Sequence, residues 1–102
     1  SLMNRYPPLR DFCVQMDSLV DKFVQQAIEN QEDGQCCIGY ADIESEAEQM
    51  VYDQDIPSFS MPLFLDMLYE RPEFSEVETT HNEVYLTLAP DLVQEQGPTQ
   101  SM

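Results

Sequence analysis

Residues 74–88, FSEVETTHNEVYLTL, determine the fold class because they contain two strand-like halves around a polar centre. In the second half, Val84, Leu86 and Leu88 alternate with polar or aromatic neighbours, which is the pattern of a half-buried strand. The first half, residues 74–79, is the natural partner for this strand. The chain therefore predicts a C-terminal β-hairpin.

The loop length fixes the register of this hairpin. A four-residue loop over residues 80–83 places Val77 opposite Leu86 and Thr79 opposite Val84. A three-residue loop would place glutamates opposite the same leucine and valine. Because side chains of like character pair across neighbouring strands, we predict the four-residue loop.

Residues 8–29 have the pattern of an amphipathic helix. Apolar side chains recur at i, i+3, i+4 and i+7 for about six turns. These positions are Leu9, Phe12, Cys13, Met16, Leu19, Val20, Phe23, Val24, Ala27 and Ile28. Pro7 and Pro8 suit the start of a helix, and Asn30 suits its end. A turn is then predicted over residues 32–34, Glu-Asp-Gly.

Residues 42–53 fit two patterns. Over residues 42–48 acidic side chains alternate strictly with uncharged ones, as in a half-buried strand, but Ile43, Ala47 and Val51 also have helical spacing. Glutamate and alanine favour helices and are poor strand formers. We therefore predict a helix, with Asp42 as its N-cap.

A third helix is predicted over residues 60–70, after a break at residues 55–58. Ser60 is its predicted N-cap, and Pro72 prevents its continuation. The helix is apolar over much of its circumference. Its apolar side chains are Met61, Leu63, Phe64, Leu65, Met67, Leu68 and Tyr69.

The predicted fold class is α+β, with three helices followed by a C-terminal β-hairpin. This element order resembles that of winged-helix domains, whose second and third helices are joined by a short break as in a helix-turn-helix. The resemblance implies a DNA reader with basic side chains on its third helix and hairpin. The charged side chains there are instead Asp66, Glu70, Arg71, Glu76, Glu78 and Glu83. The DNA-reading function is therefore expected to be absent or inverted.

The chain of 102 residues is expected to form one small domain over residues 8–92. Residues 1–7 are predicted to be an N-terminal arm, in which Ser1-Leu2 precede a native start at Met3. Residues 93–102 are polar and are predicted to be a flexible tail.

The net charge limits the kinds of partner. The sequence has 20 acidic and 4 basic residues, a formal charge of −16 and a pI of about 4.1. All of the excess negative charge lies after residue 22. Direct binding to nucleic acid or to an anionic membrane surface is not expected, because both would begin with repulsion. No apolar run approaches the ~18 residues of a membrane helix.

The sequence does not predict an enzyme, a cofactor site or a metal site. His81 is the only histidine, and we place it at the tip of the hairpin, where no partner positions it as a base. Cys13 is predicted to be a core residue, and the pair Cys36-Cys37 is predicted to lie at a loop-to-helix junction. Zinc sites need C-x2–4-C spacing, which is absent from the sequence. The odd cysteine count and the lack of an apolar signal segment favour the cytoplasm.

Two kinds of protein partner are expected. The first is an unidentified protein, or a second copy in a homodimer, bound through surplus apolar surface on the third or first helix. The side chains predicted for the third-helix surface are Leu63, Met67 and Tyr69. The alternative is nucleic-acid mimicry, in which carboxylates occupy the basic groove of a DNA-handling protein. The carboxylates predicted for that role are Glu44, Glu46, Glu48, Glu76 and Glu78.

Overall fold

A computed structural model describes the main chain of residues 7–93 and the side chains of residues 16–93. The predicted arm and tail, except Pro7 and Val93, lie outside these residues, as does the side chain of Cys13. Pro7 is the first residue of the first helix. The elements in chain order are α1 (Pro7–Asn30), β1 (Gln35–Gly39), α2 (Tyr40–Tyr52), α3 (Met61–Tyr69), β2 (Phe74–Thr79) and β3 (Glu83–Leu88), followed by a short 3-10 turn (Pro90–Leu92).

The described residues form a small α+β domain with three helices and a three-stranded antiparallel sheet, in the order β1-β3-β2. The hairpin prediction is confirmed in its register, with Val77 opposite Leu86 and Thr79 opposite Val84. The Thr80 hydroxyl accepts hydrogen bonds from backbone N–H groups across the turn, including that of Glu83 at 3.1 Å. This bond keeps the loop tight.

The sheet differs from the prediction because it has a third strand. Cys36 and Cys37 lie in β1, so their placement at a loop-to-helix junction is wrong. Cys36 pairs with Leu86, and Ile38 pairs with Val84. Pairing with β3 therefore turns a segment without a strong local strand signal into an edge strand.

The turn before β1 has the conformation of a two-residue hairpin loop. Asp33 and Gly34 both have positive φ, 55° and 87°. Glu32 and Gln35 exchange two backbone hydrogen bonds across them, at 2.9 and 3.1 Å. Two successive positive φ values are the requirement of a type I′ turn, for which Asp-Gly is a preferred sequence.

Helix α2 begins earlier than predicted. Its N-cap is Gly39 rather than Asp42, which lies in the first turn of the helix. Two hydrogen bonds to the turn between β2 and β3 position the start of the helix. The backbone N–H of Tyr40 donates to Asn82 O at 3.0 Å, and the Tyr40 hydroxyl donates to Thr80 O at 2.9 Å. The helical interpretation of residues 42–52 is confirmed.

Helix α3 begins as predicted. The Ser60 hydroxyl accepts a hydrogen bond from Leu63 N–H at 3.4 Å, and Pro62 lies in the first turn. Phe64 and Leu68 are its buried residues, and they face α1 and the inner face of the sheet within one apolar core. The buried core residues are Met16, Leu19, Val20, Phe23, Val24, Ala27, Ile38, Ile43, Ala47, Ile56, Phe64, Leu68, Phe74, Val77, Val84, Leu86 and Leu88.

Two sets of side-chain hydrogen bonds join the ends of different elements. Arg71 donates two hydrogen bonds to the Glu73 carboxylate, at 3.0 and 3.1 Å, and one to Asp21 on α1, at 2.7 Å. These bonds from Arg71 lower the pKa of Glu73 below its ordinary value. The amide of buried Gln31 donates to Leu92 O at 3.0 Å, which joins the end of α1 to the 3-10 turn.

Candidate interaction surfaces

The negative charge is almost wholly uncompensated in the part of the chain whose side chains are described. Within residues 16–93 the basic side chains are Lys22 and Arg71. Lys22 forms an ion pair with Glu46, and Arg71 forms ion pairs with Asp21 and Glu73. Neither cation is therefore available to the other carboxylates in this range.

The ion pair with Lys22 separates Glu46 from the other carboxylates predicted for nucleic-acid mimicry. Glu46 is half-buried and turned toward α1, whereas Glu44 and Glu48 are exposed on the outer face of α2. The five predicted carboxylates thus do not form one surface. Glu44 and Glu48 lie on one groove, and Glu76 and Glu78 lie on another.

The first groove, called the α2 groove below, has a volume of about 500 Å³. Its lining residues are Glu44, Ala47, Glu48, Val51, Tyr52 and Phe59. Positions 44, 48 and 52 follow one another at i+4 spacing, so they form one stripe of the helix. Tyr52 is 83% exposed, the highest fraction among the large exposed hydrophobic side chains described. The groove therefore has apolar walls with carboxylates beside them.

The loop after α2 completes the α2 groove. Phe59 is half-buried, and its ring centroid lies 5.8 Å from that of Phe64 in the core. This contact fixes the position of Phe59, so one wall of the groove is attached to the packed interior. Tyr52, on the other side, is free to contact a partner.

The second groove, called the sheet groove below, has a volume of about 550 Å³. It is formed by residues of all three strands, by Glu32 before β1 and by the end of α1. Its lining residues are Gln26, Asn30, Glu32, Gln35, Cys36, Cys37, Glu76, Glu78, Tyr85, Leu86 and Thr87. Strand register places Cys37, Tyr85 and Glu78 side by side across the three strands. Its surface is more polar than that of the α2 groove.

Beside the sheet groove, hydrogen bonding changes the acidity of Tyr85. Its hydroxyl donates to Glu83 Oε1 at 2.8 Å. This hydrogen bond stabilises the neutral phenol, and the negative charge of Glu83 destabilises the phenolate. Together they raise the pKa of Tyr85 to about 12. Tyr85 therefore remains protonated in more alkaline solution than a tyrosine with the ordinary pKa of 10.0.

We expect Glu83→Gln to lower the pKa of Tyr85 from about 12 toward the ordinary 10.0, because the substitution removes both the charge and the preferred acceptor. Titration of the tyrosine ring carbons by NMR measures this shift. Glu78→Gln, which leaves the bond to Glu83 intact, is the control and should leave the Tyr85 titration unchanged. A native Tyr85 that titrates near 10.0 would contradict the bond.

The apolar residues predicted on the third helix lie outside the two grooves. Leu63 and Met67 are half-buried and pack against the core, while Tyr69 is 54% exposed. Neither groove described above includes any of the three. Tyr69 is thus the main exposed apolar side chain at this end of α3.

The side chains with reactive groups have the following environments. His81 is exposed in the turn between β2 and β3. Burial and the neighbouring Cys37 raise the pKa of the Cys36 thiol, while partial desolvation and Glu83 raise that of Cys37. Both shifts favour the less reactive thiol form. Among the described residues, no cluster of three or more histidine, cysteine or acidic side chains has a geometry that could hold a metal ion.

Sequence reasoning missed the apolar part of the α2 groove. The helical pattern of residues 42–53 includes Val51 and Tyr52 but predicts no binding role for them. The available signal was the i+4 series of Glu44, Glu48 and Tyr52, which places an aromatic ring on the acidic face instead of the buried face. Phe59 could not be assigned, because its position depends on how the loop folds back on the core.

Comparisons with protein-family models, with curated proteins and with solved structures gave no match. Among residues 7–93, no helix is both long enough and apolar enough to cross a membrane.

Proposed function

We propose that this protein is a non-catalytic interaction module that binds a basic protein partner. The observation that supports this function best is that both basic side chains within residues 16–93 are engaged in ion pairs. Lys22 and Arg71 are both engaged in ion pairs, while exposed carboxylates lie beside exposed aromatic rings in two grooves. A partner with basic and apolar groups would complement this combination.

Charge and aromatic surface have different roles in such binding. A domain with a net charge of −16 attracts a cationic partner over a distance of about one Debye length, ~8 Å at physiological salt. Aromatic side chains such as Tyr52 then provide most of the short-range energy at an interface. The proposal thus assigns a function both to the carboxylates and to the exposed rings.

The proposal of a non-catalytic role is supported by the environments of the reactive side chains. A catalytic base needs a positioned partner, and His81 lies in an exposed turn. A nucleophilic cysteine needs a lowered pKa, whereas the pKa values of Cys36 and Cys37 are raised.

Self-association is a weaker proposal. Leu63 and Met67 are already half-buried within one copy, which leaves Tyr69 as the principal contact on α3. Two copies with a charge of −16 each also repel one another. A basic partner is therefore favoured over a homodimer.

Nucleic-acid mimicry is the second candidate function, and the arrangement of elements favours it. We propose a winged-helix-like arrangement, supported by the order of three helices and by the β1-β3-β2 sheet. On such a scaffold α3 and the hairpin would face DNA, and here they have Asp66, Glu70 and Glu78 in exposed positions. A protein that binds DNA with a basic groove could accept these carboxylates in place of phosphates.

The test of the proposed function is affinity capture from a lysate of the source organism, with the full chain as bait and elution along a salt gradient. We expect a basic protein to elute between about 0.1 and 0.5 M salt, where exposed charges become screened. The bait with glutamine at positions 44, 48, 76 and 78 should not retain it. Displacement of the captured protein by added duplex DNA would identify the mimic.

A second variant with the same charge serves as the control. Asp17→Asn, Glu29→Gln, Asp42→Asn and Asp91→Asn together remove four exposed charges that lie outside both grooves. This variant should still retain the partner. If the groove variant retained it equally well at the same salt, the carboxylates of the grooves would not form the binding surface, and the proposed function would be wrong.

A further inference from the structure

We infer that the α2 groove binds an amphipathic helix of a partner protein that has basic residues on both sides of its apolar face. This inference rests on the proposed function and assigns it to one surface. It is carried by three features of the groove: its apolar lining, the absence of strands from that lining and the placement of its carboxylates.

The apolar lining provides the binding energy. Val51 and Phe59 are half-buried, and Tyr52 is 83% exposed, so a partner side chain between them would remove apolar surface from water on several sides. Such burial contributes roughly in proportion to its area. The volume of about 500 Å³ lies within the range of binding pockets.

The backbone around the groove selects a helix as the occupant. One wall is α2 itself, whose main-chain groups bond within the helix. In the loop that follows, the N–H groups of Asp53, Gln54 and Asp55 donate to carbonyls of α2 at 2.8 to 3.0 Å. None of the lining residues lies in a strand, so the groove offers no sheet edge to pair with an extended peptide. A partner segment must satisfy its own main-chain hydrogen bonds, as a helix does.

The carboxylates select a basic partner. Glu44 and Glu48 lie one helical turn apart beside the apolar lining, and the one described lysine is engaged with Glu46. A helix with lysine or arginine along its flanks would pair with them, and a second copy of this chain would be repelled. The expected occupant is thus a cationic amphipathic helix.

The test uses a synthetic amphipathic peptide of about 16 residues, ~24 Å long as a helix. It has leucine and phenylalanine at i, i+3 and i+7, and lysine on both flanks. The control peptide has the same composition in scrambled order, so its charge is equal but it has no apolar face. We expect the amphipathic peptide to bind the full chain at least about tenfold more tightly. NMR shift changes should concentrate at Ala47, Val51, Tyr52 and Phe59.

Two pairs of variants locate the binding site. Glu44→Gln/Glu48→Gln should weaken binding of the amphipathic peptide by about tenfold, while Glu76→Gln/Glu78→Gln, with the same loss of charge, should change it less than about twofold. Tyr52→Ala should weaken it to a similar extent as the first pair, with Tyr69→Ala as the matched control. All these side chains except Tyr69 lie in one of the two grooves, and all are exposed, so the fold is expected to persist.

Several results would overturn the inference. They are equal binding of the scrambled peptide, equal weakening by the two glutamine pairs, and shift changes centred on the sheet groove. These results leave the proposed function separately testable. A natural partner that elutes with salt and is lost only from the Glu76→Gln/Glu78→Gln bait would keep the function and exclude the α2 groove.

Discussion

Replacing Phe64 with alanine is expected to reduce the free energy of unfolding by about 3–5 kcal/mol. The side chain is fully buried, and its ring meets that of Phe23 edge to face, with centroids 5.8 Å apart and planes at 80°. Phe59 also contacts this ring, with centroids 5.8 Å apart. The substitution removes these contacts together and leaves a cavity at the junction of α1, α3 and the loop. Urea unfolding followed by far-ultraviolet circular dichroism measures the change.

The expected loss is large relative to the ~5–15 kcal/mol that stabilises a typical domain. The urea concentration at the midpoint of unfolding should fall, while the slope of the unfolding free energy against urea concentration should stay the same. Tyr69→Ala removes an aromatic ring from the same helix at an exposed position and should change stability by less than about 0.5 kcal/mol. If Phe64→Ala cost no more than this control, α3 would not be packed as described.

The second large effect is expected at Gly34, where alanine should cost about 1–3 kcal/mol. Gly34 has a φ of +87°, a conformation that L-residues rarely adopt. A β-carbon there would also lie 2.8 Å from Val93 Cγ2, closer than real β-carbons approach. Moving Gly34 to avoid Val93 would strain the hydrogen bond from Leu88 N–H to Gly34 O, now 2.8 Å. Thermal or urea unfolding measures the loss.

Gly39→Ala is the matched control for this substitution. Gly39 has a φ of −74°, and an added β-carbon would have its nearest neighbour at 3.8 Å, an ordinary contact distance. Alanine is a poorer N-cap than glycine but restricts the unfolded chain, and these effects oppose each other, so the change should stay below about 1 kcal/mol. A Gly34→Ala protein as stable as the Gly39→Ala protein would contradict the positive φ of the turn.

Local sequence patterns were sufficient for the parts of the fold that depend on neighbours in the chain. The register of the hairpin followed from pairing like side chains, and Ser60 was recognised as the cap of α3 from its type and position. Strand β1 was missed because its strand conformation comes from β3, whose pairing residues are distant in sequence. Its weak signal was the alternation of Cys36 and Ile38, both turned inward, directly after the Asp-Gly turn.

The candidate surfaces were predictable only in part, because they also depend on contacts between residues that are distant in sequence. The sequence singled out Glu44 and Glu48 by their charge, and both line the α2 groove. It also grouped Glu46 with them, although Lys22 from another helix forms an ion pair with Glu46. Phe59 became part of the groove through its contact with Phe64. Contacts between elements decided which charged residues remained unpaired and which rings formed walls.

The central position of β3 has a kinetic consequence. The β2–β3 ladder closes across a short turn, an event of roughly 1–10 μs in isolated hairpins. The β1–β3 ladder joins Gln35 to Thr87, and the whole of α2 and α3 lies in the intervening segment. Forming the β1–β3 ladder costs more conformational entropy, because the loop that it closes is much longer. This long-range pairing also raises the contact order of the domain, which slows folding. During refolding, slow hydrogen exchange at the amides of Cys36 and Ile38 should therefore develop last, when both helices have docked.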